Sequence, residues 1–358
     1  MKCDLRQFDE STLPDARKVG EEMYSENVFP VLDKILANPL RNECDAQSAG
    51  DIAYQDGRPV AFQAAILRRL YLGQRPFMGI VGSTLCSKPE TSPVLLMKLM
   101  KNTIKPRHGS VLFFANTAIP ASAKMNRLLG VCGVSPVSCS NVNFVVYKYG
   151  SFLRFAIKRR LPGLVVRGLD AFGSVLSVLN RRRPLTTFVA KVESGIDDSF
   201  ELFWRNYLEN NSGLVASRSK EEVNWMFHAG ISNGRVVMIS LRDGDAVKGY
   251  VAAKSSGKDD VRWMIVDWVA VKNDGNILGD LLFYLSKYLK TKRSAVLLES
   301  VGYPMSVQPI LKRHLPFRRK LKENTSLYKA FDPEIEKALL VDSPANWFFG
   351  GYDGDRCL

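Results

Sequence analysis

Histidine and cysteine are scarce in this chain, three of the first and six of the second among 358 residues. His108, His228 and His314 lie far apart, with no His-Glu-x-x-His or similar spacing, so no zinc motif is present and no metal is expected. Cys3, Cys44, Cys86, Cys132, Cys139 and Cys357 form no Cys-x-x-Cys pair and read as reduced thiols of a cytoplasmic protein. Cys86 and Cys139 sit in apolar surroundings and read as core thiols, not nucleophiles. Cys357 is penultimate and fits no prenylation box. A Gly-x-Ser-x-Gly elbow, a Walker loop and a dinucleotide fingerprint are all lacking, which leaves the chemistries they serve without support. The charged opening, Met1 to Glu10, holds no apolar stretch of signal-peptide type. The uncharged run Gly130–Tyr147 carries Ser, Asn, Pro and Gly throughout, and reads as strand and turn rather than a membrane span.

What the chain has in excess is positive charge. Lys and Arg total 50 against 36 Asp and Glu, a net charge of +14. Hydrophobic residues make up 46% and charged residues 24%, enough apolar material for sizeable cores and too much for wholesale disorder. The length suits two domains, with a third left open. Eight basic side chains and one acid, Asp170, fall within residues 151–190, so that segment alone supplies +7. Its apolar residues recur every three or four positions, which predicts one or two amphipathic helices broken at Pro162-Gly163. Residues 151–184 therefore read as a basic amphipathic linker packed between domains. An anionic membrane surface, and less so nucleic acid, are the other partners such a segment attracts.

The two flanks repeat one order of elements. In the first, 1–150, a strand and helices precede a hairpin, Asp51–Gln55 and Pro59–Tyr71, closed by Asp56-Gly57. A strand at Phe77–Leu85, a helix at Ser92–Lys101, a buried strand at Val111–Ala115, a helix at Ala121–Leu129 and a strand at Asn141–Tyr149 follow. In the second, 185–358, a hairpin turns at Asp243-Gly244 and is followed by a strand at Val261–Val271. The helix Ile277–Lys290, the strand Ala295–Glu299, a helix at Val307–His314 and a strand at Thr325–Phe331 complete it.

This doubled order resembles the GNAT superfamily of acyl-CoA N-acyltransferases. Asp56-Gly57-Arg58-Pro59-Val60-Ala61-Phe62 and, more closely, Asp243-Gly244-Asp245-Ala246-Val247-Lys248-Gly249-Tyr250 look like the family's Asp-Gly-x-x-Val-Gly hairpin. Asn126–Gly130 and Leu311–Phe317 resemble its late helix ending in Gly-Phe, with Pro316 in place of Gly. The tandem arrangement and the tail Trp347–Asp355 look like GNAT-type proteins of bacterial surface-polysaccharide pathways. The resemblance implies an α+β fold: two GNAT-like domains, each a twisted, mostly antiparallel mixed sheet flanked by helices and splayed where the acyl thioester enters. It also implies acetyl-CoA or another acyl-CoA as donor and a small-molecule amine, for instance an amino sugar, as acceptor.

The family's pyrophosphate loop places glycine at a helix start so that backbone N–H groups reach the phosphates. In the second domain the place reads Lys272-Asn273-Asp274-Gly275-Asn276-Ile277. Gly275 matches and Lys272 is a cationic stand-in, whereas Ile277 departs from the motif and Asp274 adds a negative charge. The resemblance implies donor contacts at Val269, Val271, Lys272, Gly275 and Asn276. The first domain has Ser87–Pro93 there, without glycine, and is expected to be non-catalytic. An ordinary strand-to-helix turn is the alternative for both loops.

Asp267 is the candidate proton acceptor, since strand alternation puts it on the face of Trp263, Ile265 and Val269. On that reading Asp267→Asn abolishes turnover and leaves the fold intact; a structural carboxylate paired with a Lys or Arg is the alternative. Glu299 ends the next buried strand, and Tyr303 stands near where the family often places its thiolate acid. Asp353 and Asp355 are candidates for holding the acceptor. Two other classes stay open: a FemABX-type aminoacyl transferase using aminoacyl-tRNA, and a non-catalytic scaffold docked on a membrane or partner. The expected location is the cytoplasm, with the basic segment pointing to the inner face of the membrane.

Overall fold

The computed structural model describes residues 2–23, 29–44, 48–118, 120–133, 141–157, 162–179, 183–256, 261–292, 294–301, 305–320, 325–341 and 352. Its strands are β1 Cys3–Gln7, β2 Gly50–Gln55, β3 Arg58–Leu72, β4 Arg75–Ser87, β5 Ser110–Ala118, β6 Cys132–Gly133, β7 Asn141–Val146 and β8 Val189–Val192. They continue with β9 Leu214–Ala216, β10 Val236–Asp243, β11 Ala246–Ser256, β12 Arg262–Ala270, β13 Leu297–Val301, β14 Phe317–Lys320 and β15 Thr325–Ala330. Two sheets result. The first runs β1-β2-β3-β4-β5-β15-β6, with β9 pairing β3, and the second runs β14-β7-β13-β12-β11-β10-β8. Among the described strands only β4/β5 and β12/β13 are parallel, so each sheet is mixed and mostly antiparallel, and helices flank both, as the α+β expectation had it.

Local chemistry explains the elements. Asp56 and Gly57 take positive φ values of 50° and 78°, the conformation a tight hairpin turn needs between β2 and β3. The helix Gly275–Thr291 buries Leu278, Leu281, Leu282, Leu285 and Leu289, spaced three or four apart, against the second sheet. Asp274 caps it by accepting from Asn276 N (2.8 Å) and Ile277 N (3.1 Å).

The sheets do not respect the expected boundaries at 150 and 185. β7, from the first half, lies between β13 and β14 of the second sheet. β15, from the end of the second half, lies between β5 and β6 of the first. Each unit thus lends a strand to the other. One apolar cluster runs through both, from Phe8, Phe62 and Phe114 to Trp263, Trp268 and Leu281. Each lent strand occupies a place beside a buried parallel strand, where an unpaired edge would leave backbone groups without partners.

The described parts of the segment between the halves are helical, Tyr149–Ile157 and Gly163–Leu179, the second beginning just after Pro162. Asp170 ties the two helices together by accepting from Gly150 N (2.7 Å) and Ser151 Oγ (2.9 Å). Leu164 is 82% exposed at the start of the second helix. Among the described residues no helix is long and apolar enough to cross a membrane.

Candidate functional site

The parallel pair β12/β13 is in register from Arg262↔Leu297 to Ile265↔Ser300 and then parts, although β12 continues to Ala270. On its other side β12 pairs Ile265 with Ala253 and Asp267 with Ala252, so Val266 is an extra residue, a β-bulge. The bulge reverses the alternation. Asp267 therefore faces away from Trp263 and Ile265, contrary to the expectation from an unbroken strand. Bulge and splay together free the Val266 carbonyl from the ladder, and it accepts from Tyr352 N at 2.7 Å.

Beyond the splay, Lys272 and Asn273 take positive φ values of 57° and 51° and turn the chain into the Gly275 helix. Lys272, Asn273, Asp274, Gly275 and Asn276 are exposed there, whereas Ile277 is buried. A cavity of about 240 Å³ opens over this helix start, lined by Gly275, Asn276, Arg183, Ile310, Arg313 and His314 among others. Asp280 anchors the incoming chain at its wall by accepting from Leu185 N (2.9 Å) and Thr186 N (2.8 Å). Three cationic or imidazole side chains beside a helix N-terminus make an anion-accepting surface. Asp274 works against it, because its carboxylate already occupies two of the N–H groups. Val269 is fully buried and Val271 half-buried, so their side chains belong to the core and only backbone is on offer to a donor.

Asp267 itself is fully buried and fully engaged. Its two oxygens accept from Arg218 Nε (3.1 and 3.2 Å), Arg218 Nη2 (2.9 Å), Trp268 N (3.1 Å) and the Tyr250 hydroxyl. This is a charge-paired anchor between sheets, since Arg218 follows β9 of the first sheet. Glu299, also buried, holds Arg262 of β12 and Arg319 of β14 (3.1 Å), and so ties three strands. Tyr303, Asp353 and Asp355 lie outside the described residues.

Arg68, Arg218, Glu222 and Tyr352, none of them a candidate site residue in the sequence, meet between the sheets. Arg68 of β3, fully buried, donates to Tyr352 O (3.2 Å), and its Nη1 stands 3.8 Å from Glu222 Oε2. The guanidiniums of Arg68 and Arg218 lie 4.5 and 4.6 Å from the Tyr352 ring centre, within cation–π range. The Tyr352 hydroxyl donates to Ser217 O at 2.7 Å. Burial lifts the Glu222 carboxyl to about 7, against the attraction of Arg68 and a hydrogen bond from the Ser217 side chain. Burial also raises the Tyr250 and Tyr352 hydroxyls. The sequence disguised Glu222. Ser219-Lys220-Glu221-Glu222 has the form of a capping box, in which Glu222 would reach back to Ser219 N. In the structure Ser217 Oγ accepts from Ser219 N (3.2 Å), and Glu222 turns instead toward Arg68.

In the first sheet β4 and β5 part in the same manner after Val81↔Phe114, and the following loop is tied down where Lys88 pairs with Glu22 (2.7 Å) and Thr91 bonds Val60 O (2.9 Å), beside a cavity of about 680 Å³ lined by Lys18, Glu22, Arg58, Lys88 and Glu90.

No known family model matches the chain, and no curated protein does. Solved structures do match. A GCN5-related N-acetyltransferase from Anabaena variabilis aligns over 92% of this chain and 73% of its own, with TM-score 0.60 and 10% identity. One from Kribbella flavida aligns over 92% and 71%, with TM-score 0.56 and 12% identity. Saccharomyces cerevisiae N-myristoyltransferase, solved with bound myristoyl-CoA, aligns over 92% and 79%, with TM-score 0.58 and 12% identity. At these identities the likeness is one of fold, and it spans both sheets.

Proposed function

We propose that the chain is an acyl-CoA-dependent N-acyltransferase whose donor lies along the β12/β13 splay of the second sheet. The observation that carries this reading is the coincidence of a bulged, splayed parallel pair with a basic cavity over the next helix start. The solved relatives lend it support, since they are acyltransferases and one was solved with an acyl-CoA bound. The cavity is large enough for part of a nucleotide-bearing donor, with the remainder running along the splay. Because Asp274 occupies two helix N–H groups, Arg183 and Arg313 supply most of the charge that faces the phosphates, with Lys272 on the adjoining loop. The acceptor is an amine that meets the thioester carbonyl at the splay, where backbone N–H groups stabilise the oxyanion. An amino sugar of surface-polysaccharide synthesis is the acceptor that the sequence resemblance favours. The first unit, whose corresponding loop lacks glycine and is tied down by Lys88–Glu22, serves as a structural partner.

Calorimetric titration with CoA and acetyl-CoA tests the reading. One-to-one saturable binding by the protein, lost in Gly275→Glu, is the expected result. A Cβ at Gly275 meets only Ile310 Cδ1, at an ordinary 3.4 Å, so loss of binding in that variant reports on the ligand and not on the fold. No binding at about 1 mM CoA, a free energy of about −4 kcal/mol, would turn attention to aminoacyl-tRNA or to a scaffold role.

A further inference from the structure

Two basic stretches that lie far apart in the chain meet on one rim of the second sheet. Residues 141–170 and 308–320 together hold eleven Lys and Arg and one acid, Asp170. Asp170 is engaged within the helix pair, where it accepts from Gly150 N and Ser151 Oγ. Tertiary contacts join the stretches. Among the described strands β14 is the outer one of its sheet, paired antiparallel with β7. The ring centre of Phe317 on β14 lies 5.5 Å from that of Phe144 on β7 and 6.4 Å from that of Tyr149, which opens the helix Tyr149–Ile157. Phe152 of that helix stands 6.0 Å from Phe144. The second helix is held as closely, since a Cβ at Gly150 would run into the Val166 carbonyl. The start of the helix Gly163–Leu179 therefore sits beside the rim.

The rim is basic and apolar at once. Arg154, Arg167, Lys312, Arg318 and Lys320 are exposed, and none of the five has an ion-pair or hydrogen-bond partner among the described residues. Beside them Leu164 is 82% exposed, Val165 48% and Phe317 39%. Cations on an outer strand can serve simply to keep other strands away, but such a guard gains nothing from bare aliphatic side chains next to it. Nucleic-acid phosphates would take the cations and leave Leu164 and Val165 in water. An anionic lipid surface takes both, because its headgroups meet the cations while the apolar side chains enter the acyl boundary. We propose that β14 and the start of the helix Gly163–Leu179 form a docking surface on which the protein lies against an anionic bilayer. The proposal does not depend on the acyltransferase reading. It bears on it, since Arg313 of the cavity over the Gly275 helix start is four residues from Phe317, no more than about 14 Å of chain. Docking thus brings that cavity to the lipid surface.

Vesicle flotation of the full chain at low salt tests this, with phosphatidylcholine alone and with phosphatidylcholine containing phosphatidylserine. The wild-type protein is expected to float with the anionic vesicles and not with the neutral ones. Leu164→Glu with Val165→Glu is expected to weaken binding about tenfold or more, because the apolar contribution is lost. Arg318→Gln with Lys320→Gln is expected to weaken it roughly 30-fold, two cations at about 1 kcal/mol each. All four positions are exposed, so thermal midpoints are expected to match the wild type and to show that the fold is kept. Absence of flotation, equal flotation with neutral vesicles, or flotation indifferent to Leu164→Glu with Val165→Glu overturns the proposal. Binding of single-stranded RNA that needs Arg318 and Lys320, without flotation, overturns it too and gives the rim to nucleic acid.

Discussion

Asp267 and Glu222 are both buried carboxyls beside an arginine, and their settings differ in one respect. Asp267 accepts from donors on both oxygens, whereas Glu222 faces a guanidinium too distant for a hydrogen bond. Removing one partner of a fully buried pair leaves the other charge stranded, at a cost of about 3–5 kcal/mol. Asp267→Asn is therefore expected to lower the urea midpoint by that equivalent, and any loss of turnover to follow loss of fold. Glu222 gives the opposite sign. Its folded value, about 7, lies above the ordinary 4.5, so its favourable contribution is complete at low pH and is lost as pH rises between those values. Stability of Glu222→Gln relative to the wild type is expected to improve by up to about 3 kcal/mol across that window, read from urea midpoints at each pH. Asp274 yields a third outcome. Asparagine caps a helix as well as aspartate but carries no charge. Asp274→Asn is expected to tighten CoA binding by about 1 kcal/mol, roughly fivefold, by calorimetry.

Hairpins, helices and the parallel strands could be read directly from the chain, because turn residues and apolar spacing are local signals. The hairpin at Asp56-Gly57 and the amphipathic Gly275 helix are found where the pattern put them. The bulge at Val266 was not legible. Val266 sits in an unbroken apolar run, and one added residue changes the facing of Asp267 without changing composition. The lent strands were equally hidden, since Asn141–Val146 and Thr325–Ala330 read as ordinary final strands and nothing local says which sheet they join. Of the candidate site, the Gly275 loop was visible as a motif. The Arg68–Glu222–Tyr352 meeting was not, because it unites residues 68, 222 and 352 through tertiary packing. The exchange has a test of its own. A protease site introduced at Arg181, once cut, is expected to leave both halves in one peak on native size-exclusion chromatography. Separation of the halves would show that the lent strands contribute little.

At the scale of the whole molecule, the net charge of +14 and the basic segment between the halves set the long-range behaviour. Flotation with anionic vesicles is expected at low salt and to weaken as salt shortens the screening length to about 10 Å at 0.1 M. Neutralising Arg181, Arg182 and Arg183 is expected to diminish it, and unchanged flotation would sink the lipid role. The lent strands also bear on how the protein is made. During synthesis β5 emerges by residue 118, but its neighbour β15 begins only at residue 325. At about 5–20 residues per second the ribosome needs roughly 10–40 s to cover that interval. For that time the first sheet has an open flank beside a strand destined for the interior, so the nascent chain is a client for cellular helpers in a way the finished protein is not.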